Sequence, residues 1–168
     1  LDLPENFYAS RALGGKAEVI PSEFGLPADF VVEKDCVCFL HGDYRGQNVL
    51  FEDEKVTCVL DWEDARFGPR LFDVAYSVIF FQAVLKDTAP LLAEMKAFLA
   101  GYGDVYPLSA SDWVRFPAYL SAALSRGVGL WQKVLARAQT SEQRNRIQGW
   151  VDDFVVLDKD WHSLCPPV

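Results

Sequence analysis

The chain has 168 residues, of which 51% are apolar and 14% aromatic, enough to bury the core of one ordinary domain and too hydrophobic for an unfolded chain. Sixteen basic residues against 24 acidic ones give a net charge of −8. That removes the basic footprint that nucleic acid demands, serves solubility first, and suits a cationic small molecule. No apolar run is long enough to span a bilayer and no leader peptide is visible, so the expected setting is cytoplasmic and away from membranes.

Residues 1–35 carry Pro4, Pro21, Pro27, Gly14, Gly15 and Gly25, which break any long helix and predict short turns and loops. Gly14-Gly15-Lys16 lacks the spacing of a nucleotide-binding glycine loop and follows no strand, so it reads as a loop. Short apolar runs predict strands over Val37–Leu40, Val49–Glu52 and Val56–Leu60, the last two joined at Asp53-Glu54. Cys36 and Cys38 alternate on the first strand, Cys58 lies in the hairpin and Cys165 near the end. With only two histidines to complete a ligand set, the four are expected to be buried, inert thiols, and His162 a surface residue.

From Arg70 the apolar spacing becomes helical. Phe72, Ala75, Tyr76, Ile79, Phe80 and Ala83 form one buried stripe; Leu91, Leu92, Met95, Phe98, Leu99 and Tyr102 form another that stops at Gly101-Tyr102-Gly103. Ser109 or Ser111 caps a third helix, with Trp113, Phe116, Leu120, Ala123 and Leu124, continuing through Val128, Trp131 and Leu135. Pro117 is expected to kink its first turns. Thr140 or Ser141 opens the last helix, with Ile147, Trp150, Val151, Phe154, Val155 and Leu157, which ends before Pro166-Pro167. These aromatic stripes read as core and not as a ligand box. Arg66 and Arg70 read as structural partners of nearby acids.

Between the strands and the helices lies FLHGDYRGQNVLFEDEKVTCVLDWEDARFGPRLFDVAY. Asp43 and Asn48 stand five apart in one loop, and a hairpin then delivers Asp61-Trp62-Glu63. Protein kinases space a catalytic Asp and a metal-binding Asn in this way and place a second metal-binding Asp on a following loop. Taken alone, an Asp and an Asn at that spacing are more often turn formers. The order His41-Gly42-Asp43, Asn48, Leu60-Asp61-Trp62-Glu63 and then Asp73 and Ala75 after Gly68-Pro69 resembles the aminoglycoside phosphotransferase and choline kinase group of small-molecule kinases.

The resemblance implies an α+β, mostly helical fold: a protein-kinase-like C-terminal lobe whose small β-hairpin carries the catalytic and metal loops. It would be one domain over 1–168, with an irregular lead-in (1–35), strands and loops (36–69) and a helical part (70–165). In such a lobe Asp43 would be the catalytic base or the group that orients the acceptor hydroxyl, and His41 would brace the catalytic loop by a bond near Asp61. Asn48 and Asp61 would bind Mg²⁺ under the phosphates of ATP, with GTP open as donor. Asp73 would hold the loop backbone from below. Arg45 is open between a phosphate contact and a solvated residue. Glu63 and Tyr44 are candidates to contact substrate.

The same family carries an N-terminal lobe with a glycine loop, a strand Lys and a helix Glu, and no such pattern precedes His41. The expectation is therefore an incomplete C-lobe, inactive by itself, in a kinase acting on a small-molecule alcohol. The stretch Phe98 to Tyr102 and Pro107-Leu108-Ser109 is also similar to the homoserine-kinase-like branch, although a helix end before a capped helix explains the same residues. Two other functions remain open. One is a non-catalytic binding module that associates with the absent lobe or a second copy through the exposed face. The other is metal-dependent phosphate-ester hydrolysis, which would need more ligands than are visible.

Overall fold

A computed structural model describes residues 21–32, 37–86 and 92–160. Gly14-Gly15-Lys16, Cys36, His162 and Cys165 lie outside the described residues. The described chain is a mostly helical α+β unit with two small antiparallel sheets.

β1 (Val37–Leu40) pairs with β4 (Arg66–Pro69), setting Val37 opposite Pro69 and Leu40 opposite Arg66. β2 (Val49–Glu52) pairs with β3 (Lys55–Val59) around Asp53 and Glu54, both at positive φ (47° and 64°). Left-handed backbone at both corner residues matches the twist of a tight hairpin. β4 is an addition to the three strands read from sequence. Gly68-Pro69 reads as a loop, but Pro tolerates the end of an edge strand, where its missing N–H costs no ladder bond.

Four helices follow: α1 (Arg70–Lys86), α2 (Leu92–Val105), α3 (Ala110–Ala136) and α4 (Ser141–Asp160). α1 is the central one. Leu71, Phe72 and every residue from Val74 to Phe80 are buried, as expected of a helix packed on more than one side. It rests on α3, which rests in turn on α4. A short turn at Pro21–Phe24 lays Phe24 edge-on against Phe72, ring centroids 5.0 Å apart.

Ser109 caps α3: its hydroxyl accepts the Asp112 N–H while Asp112 accepts the Ser109 N–H, a reciprocal box that satisfies two otherwise orphaned donors. Pro117 lies at the eighth position of α3, and the helix runs on unbroken to Ala136, so the expected Pro117 kink does not interrupt it. Thr140 caps α4 through its hydroxyl to the Gln143 N–H at 3.1 Å. α2 runs two residues past Gly103, contrary to the expected stop at the glycines, both of which face open space.

Two further expectations change. Cys38 and Cys58 are exposed and not buried, because strand faces here are only partly covered. Arg70 does pair with an acid, Asp112, at 2.8 Å. Arg66 instead lies over the rings of Phe24 (4.7 Å) and Phe72 (5.5 Å), with Asp64 and Glu23 close enough to act on its charge. Among the described residues no helix is long and apolar enough to cross a membrane.

Candidate active site

The loop between β1 and β2 is built around His41, whose imidazole is only 5% exposed. Its Nδ1 accepts the Asp43 N–H at 3.2 Å, so the ring proton sits on Nε2, 2.8 Å from the Leu60 carbonyl. Neutral His41 thus ties the first loop to the second by its two nitrogens, and both are committed to backbone. Its role is bracing.

Asp73, in the first turn of α1, accepts the backbone N–H of His41 at 2.6 Å and of Gly42 at 3.0 Å. Burial pushes its carboxyl above the ordinary value, against the pull of these two amides and of the neighbouring Arg66 charge. Gly42 has φ 83°, and a Cβ there would collide with the Asp64 carbonyl. Only glycine allows the two loops to approach this closely.

Asp43 follows with both carboxylate oxygens engaged. Oδ1 accepts the Tyr76 hydroxyl at 2.5 Å. Oδ2 accepts Asn48 Nδ2 at 3.0 Å and lies 3.0 Å from Arg45 Nε. That Arg45 contact is an ion pair without hydrogen-bond alignment, since the same nitrogen has no hydrogen-bond partner. Asn48 Nδ2 also donates to the Asp43 carbonyl at 2.9 Å. Spending the amide nitrogen on Asp43 leaves Asn48 Oδ1 with no donor among the described residues.

The second loop is stapled by Trp62. Its indole N–H reaches the Val59 carbonyl at 2.9 Å, and its ring lies 4.6 Å from the His41 ring. Asp61 stands at φ 62°, ψ 62°, left-handed for a residue with a side chain. Among the described residues its carboxylate has no hydrogen-bond or ion-pair partner. Leu60 N–H donates to the Asn48 carbonyl at 2.8 Å, which sets Leu60, the residue before Asp61, opposite Asn48.

Asp43, Arg45 and Asp61 open on a cleft of about 540 Å³, within the range of small-molecule sites, while Asn48 is not part of its lining. Asp43, Arg45, Asp61, Glu63, Asp64 and Tyr76 form one side, and α3 supplies the other with Ser125, Arg126, Gly129, Leu130, Trp131 and Lys133. Glu63, a candidate substrate contact, lines the cleft. Tyr44, expected to touch substrate, is not part of that lining; its ring lies against Phe81 (5.7 Å) and His41 (5.8 Å). Trp131, expected as core, does pack against the core, partly buried, and also lines the cleft.

Sequence reasoning missed Tyr76 as a site residue, because its spacing with Phe72 and Phe80 reads as core. Its only signal is a polar tip three residues after Asp73. Burial pushes its hydroxyl well above the ordinary tyrosine value, and the hydrogen bond to the Asp43 charge adds to the shift, so it stays protonated.

The oxygens left over, Asn48 Oδ1 and the Asp61 carboxylate, are what a small hard cation takes. Mg²⁺ keeps several waters and uses one or two protein oxygens beside substrate phosphates. Among the described residues no group of three or more His, Cys, Asp and Glu is gathered as a closed metal cage. The donors present fit a half-open Mg²⁺ site of that sort.

Residues 25–119 match the model of the APH phosphotransferase enzyme family. The chain belongs to that family. It is also similar to acyl-CoA dehydrogenase family member 11 of Mus musculus, 26% identical over 152 residues that cover 77% of this chain and 19% of that protein. The Rattus norvegicus protein of the same name is 39% identical over 46 residues, 26% of this chain and 6% of its own length. The chain therefore spans less than a fifth of these curated relatives. No solved structure matches it.

Proposed function

We propose that this chain has the fold of a kinase-like C-terminal lobe and carries the acceptor and metal chemistry of a small-molecule kinase, moving the γ-phosphoryl group of ATP or GTP to an alcohol. The reading is carried by one observation: Asp43 and Asp61, from separate loops, line the same cleft, with Asn48 bonded to the first. Asp43 receives or orients the hydroxyl. Asn48 Oδ1 and Asp61 hold Mg²⁺, which when bound neutralises phosphate charge. Arg45 is placed to exchange Asp43 for a phosphate, and Glu63 to meet the acceptor. Phosphoryl transfer asks mainly for such positioning and charge stabilisation.

The test is Mg²⁺-dependent transfer of labelled γ-phosphate by the complete protein, since the C-lobe alone is expected to be inactive, to a panel of amino alcohols, sugars and quaternary amines. Asp43→Asn, Asn48→Ala and Asp61→Ala are expected to abolish transfer while the chain stays folded. Transfer at the wild-type rate in any of the three removes that residue from the mechanism.

A second reading is favoured by a different feature. Phe39, Leu50, Phe51, Val56, Leu60, Trp62 and Phe67 are each at least 40% exposed on the strands and loops beside the site, more apolar surface than a lone domain usually leaves open. In this reading the chain is a non-catalytic module bound through that face to a covering lobe or a second copy. Sedimentation of wild type and of Phe51→Lys separates the two: a dimer that the substitution dissolves, with no transfer activity in either, favours the module.

A further inference from the structure

We propose that Tyr76 is the positioning residue for the transfer step and that it singles out one atom, Asp43 Oδ1, to take the acceptor's proton. This rests on the phosphotransferase reading and deepens it by naming the oxygen that reacts and the group that aims it.

A carboxylate offers two lone-pair directions on each oxygen. On Asp43 Oδ2 one is taken by the Asn48 Nδ2 hydrogen bond at 3.0 Å, and the positive charge of Arg45, with Nε 3.0 Å away in an ion pair, makes that oxygen the poorer proton acceptor. On Oδ1 the Tyr76 hydroxyl takes one at 2.5 Å. One direction is left, on an oxygen whose residue lines the cleft together with Tyr76. The acceptor hydroxyl has that place to go. Its O–H bond breaks as its oxygen bonds the γ-phosphorus, the bond from that phosphorus to the departing nucleoside diphosphate breaks, and the proton passes to Oδ1.

What makes Tyr76 fit to aim a reacting atom is where it stands. It is 7% exposed, with its ring between those of Phe80 (4.6 Å) and Phe72 (6.4 Å). It therefore moves no more than the core does. It leaves α1 three residues after Asp73, which holds the same loop by its backbone. One helix turn thus fixes both the main chain and the working side chain of the catalytic loop. Core packing alone does not ask for the hydroxyl: phenylalanine would fill the same space, and a hydroxyl costs free energy to bury unless it is bonded.

Tyr76→Phe, Asp43→Asn and the double variant test this. With the acceptor that the panel identifies, Tyr76→Phe is expected to fold, to lose roughly 10- to 100-fold in kcat, and to keep KM for both substrates within about twofold. In the Asp43→Asn background the same substitution is expected to change nothing further, because the two side chains act as one unit. A kcat within about twofold of wild type, or an equal loss in both backgrounds, overturns the proposal. An arm that needs no turnover follows the Tyr76 hydroxyl proton by NMR. It should be strongly deshielded and slow to exchange, absent in Tyr76→Phe and displaced in Asp43→Asn, and its absence from wild type also overturns the proposal. A complete wild-type protein that shows this proton but transfers no phosphoryl group rejects the phosphotransferase reading, and with it the transfer role, while the contact stands.

Discussion

Asp73 reaches back across 32 residues of sequence to take the His41 N–H at 2.6 Å, and a second bond to the Gly42 N–H makes the grip two-handed. The loop that carries Asp43 is thereby hung from the first turn of the most buried helix. A loop that must present a carboxylate to within a fraction of an ångström gains its rigidity from such a support.

Asp73→Ala is the direct check on that relationship. It strips two partly buried amides of their acceptor, and each such loss costs about 1–3 kcal/mol. The expected result is a stability loss of roughly 2–4 kcal/mol by urea unfolding, with phosphoryl transfer lost even where the variant is folded at low temperature. Retention of both stability and transfer would show that the loop is held by His41 alone.

Acid titration separates two carboxylates with opposite behaviour. Burial pushes Asp112 up, but the Ser109 N–H and hydroxyl and the Arg70 guanidinium outweigh it and hold the carboxyl below its ordinary value. A carboxyl lowered in the fold contributes stability above its unfolded value and loses it as pH falls through the folded one. Asp73 is raised, so its contribution is fully present below the unfolded value and lost as pH rises through the folded one. Plots of Tm against pH below about 5 should therefore flatten in Asp112→Asn and steepen in Asp73→Asn. Parallel curves for the two variants would contradict the assignment.

How far the site was legible follows from what each residue type can advertise. His41, Gly42, Asp43, Asn48, Asp61 and Asp73 are polar groups at unusual spacing between strands, and that order is visible in a string of letters. The hairpin was visible too, because apolar runs flank Asp53-Glu54. Tyr76 was hidden by its own periodicity, since a core stripe and a side chain that clamps Asp43 share the same three- and four-residue steps. The α3 wall was hidden for the same reason: Trp131 lies on an apolar helical stripe, and only the fold places it across from Asp43. β4 was missed because its partner, β1, lies 26 residues earlier at the nearest pair, Leu40 and Arg66, and no local pattern records a non-local pairing.

Two glycines on that wall, two residues apart, should answer the same substitution in opposite ways. A Cβ on Gly127 would run into the ring of Phe80, itself held by Tyr76 (4.6 Å) and Phe154 (5.4 Å). A Cβ on Gly129 would meet nothing within 4 Å. In a helix interior alanine is favoured over glycine by about 1 kcal/mol. Gly129→Ala is therefore expected to raise Tm by a few degrees, and Gly127→Ala to lower it as the ring is displaced. Because Gly129 also lines the cleft, larger residues there should raise KM for the acceptor and leave that for the nucleotide unchanged.

Asp61 carries the sharpest test of what the second loop is for. Its φ of 62° places a side-chain-bearing residue in the left-handed region, where glycine rests without steric cost and other residues pay up to about 1–2 kcal/mol. Nothing in the described structure repays that: the carboxylate has no partner there. A position strained and unpartnered at once is explained when the side chain serves a ligand and not the fold. Asp61→Gly should then leave stability unchanged or raise it by up to about 1 kcal/mol, while Mg²⁺-dependent transfer disappears. Asp61→Asn keeps a residue tolerant of the left-handed region, so it should match wild type in stability and lose most of the transfer through its missing charge. Chemical denaturation and labelled-phosphate transfer on the same samples decide the matter. A destabilised Asp61→Gly that still transfers phosphate would mean that Asp61 holds the loop and not the metal.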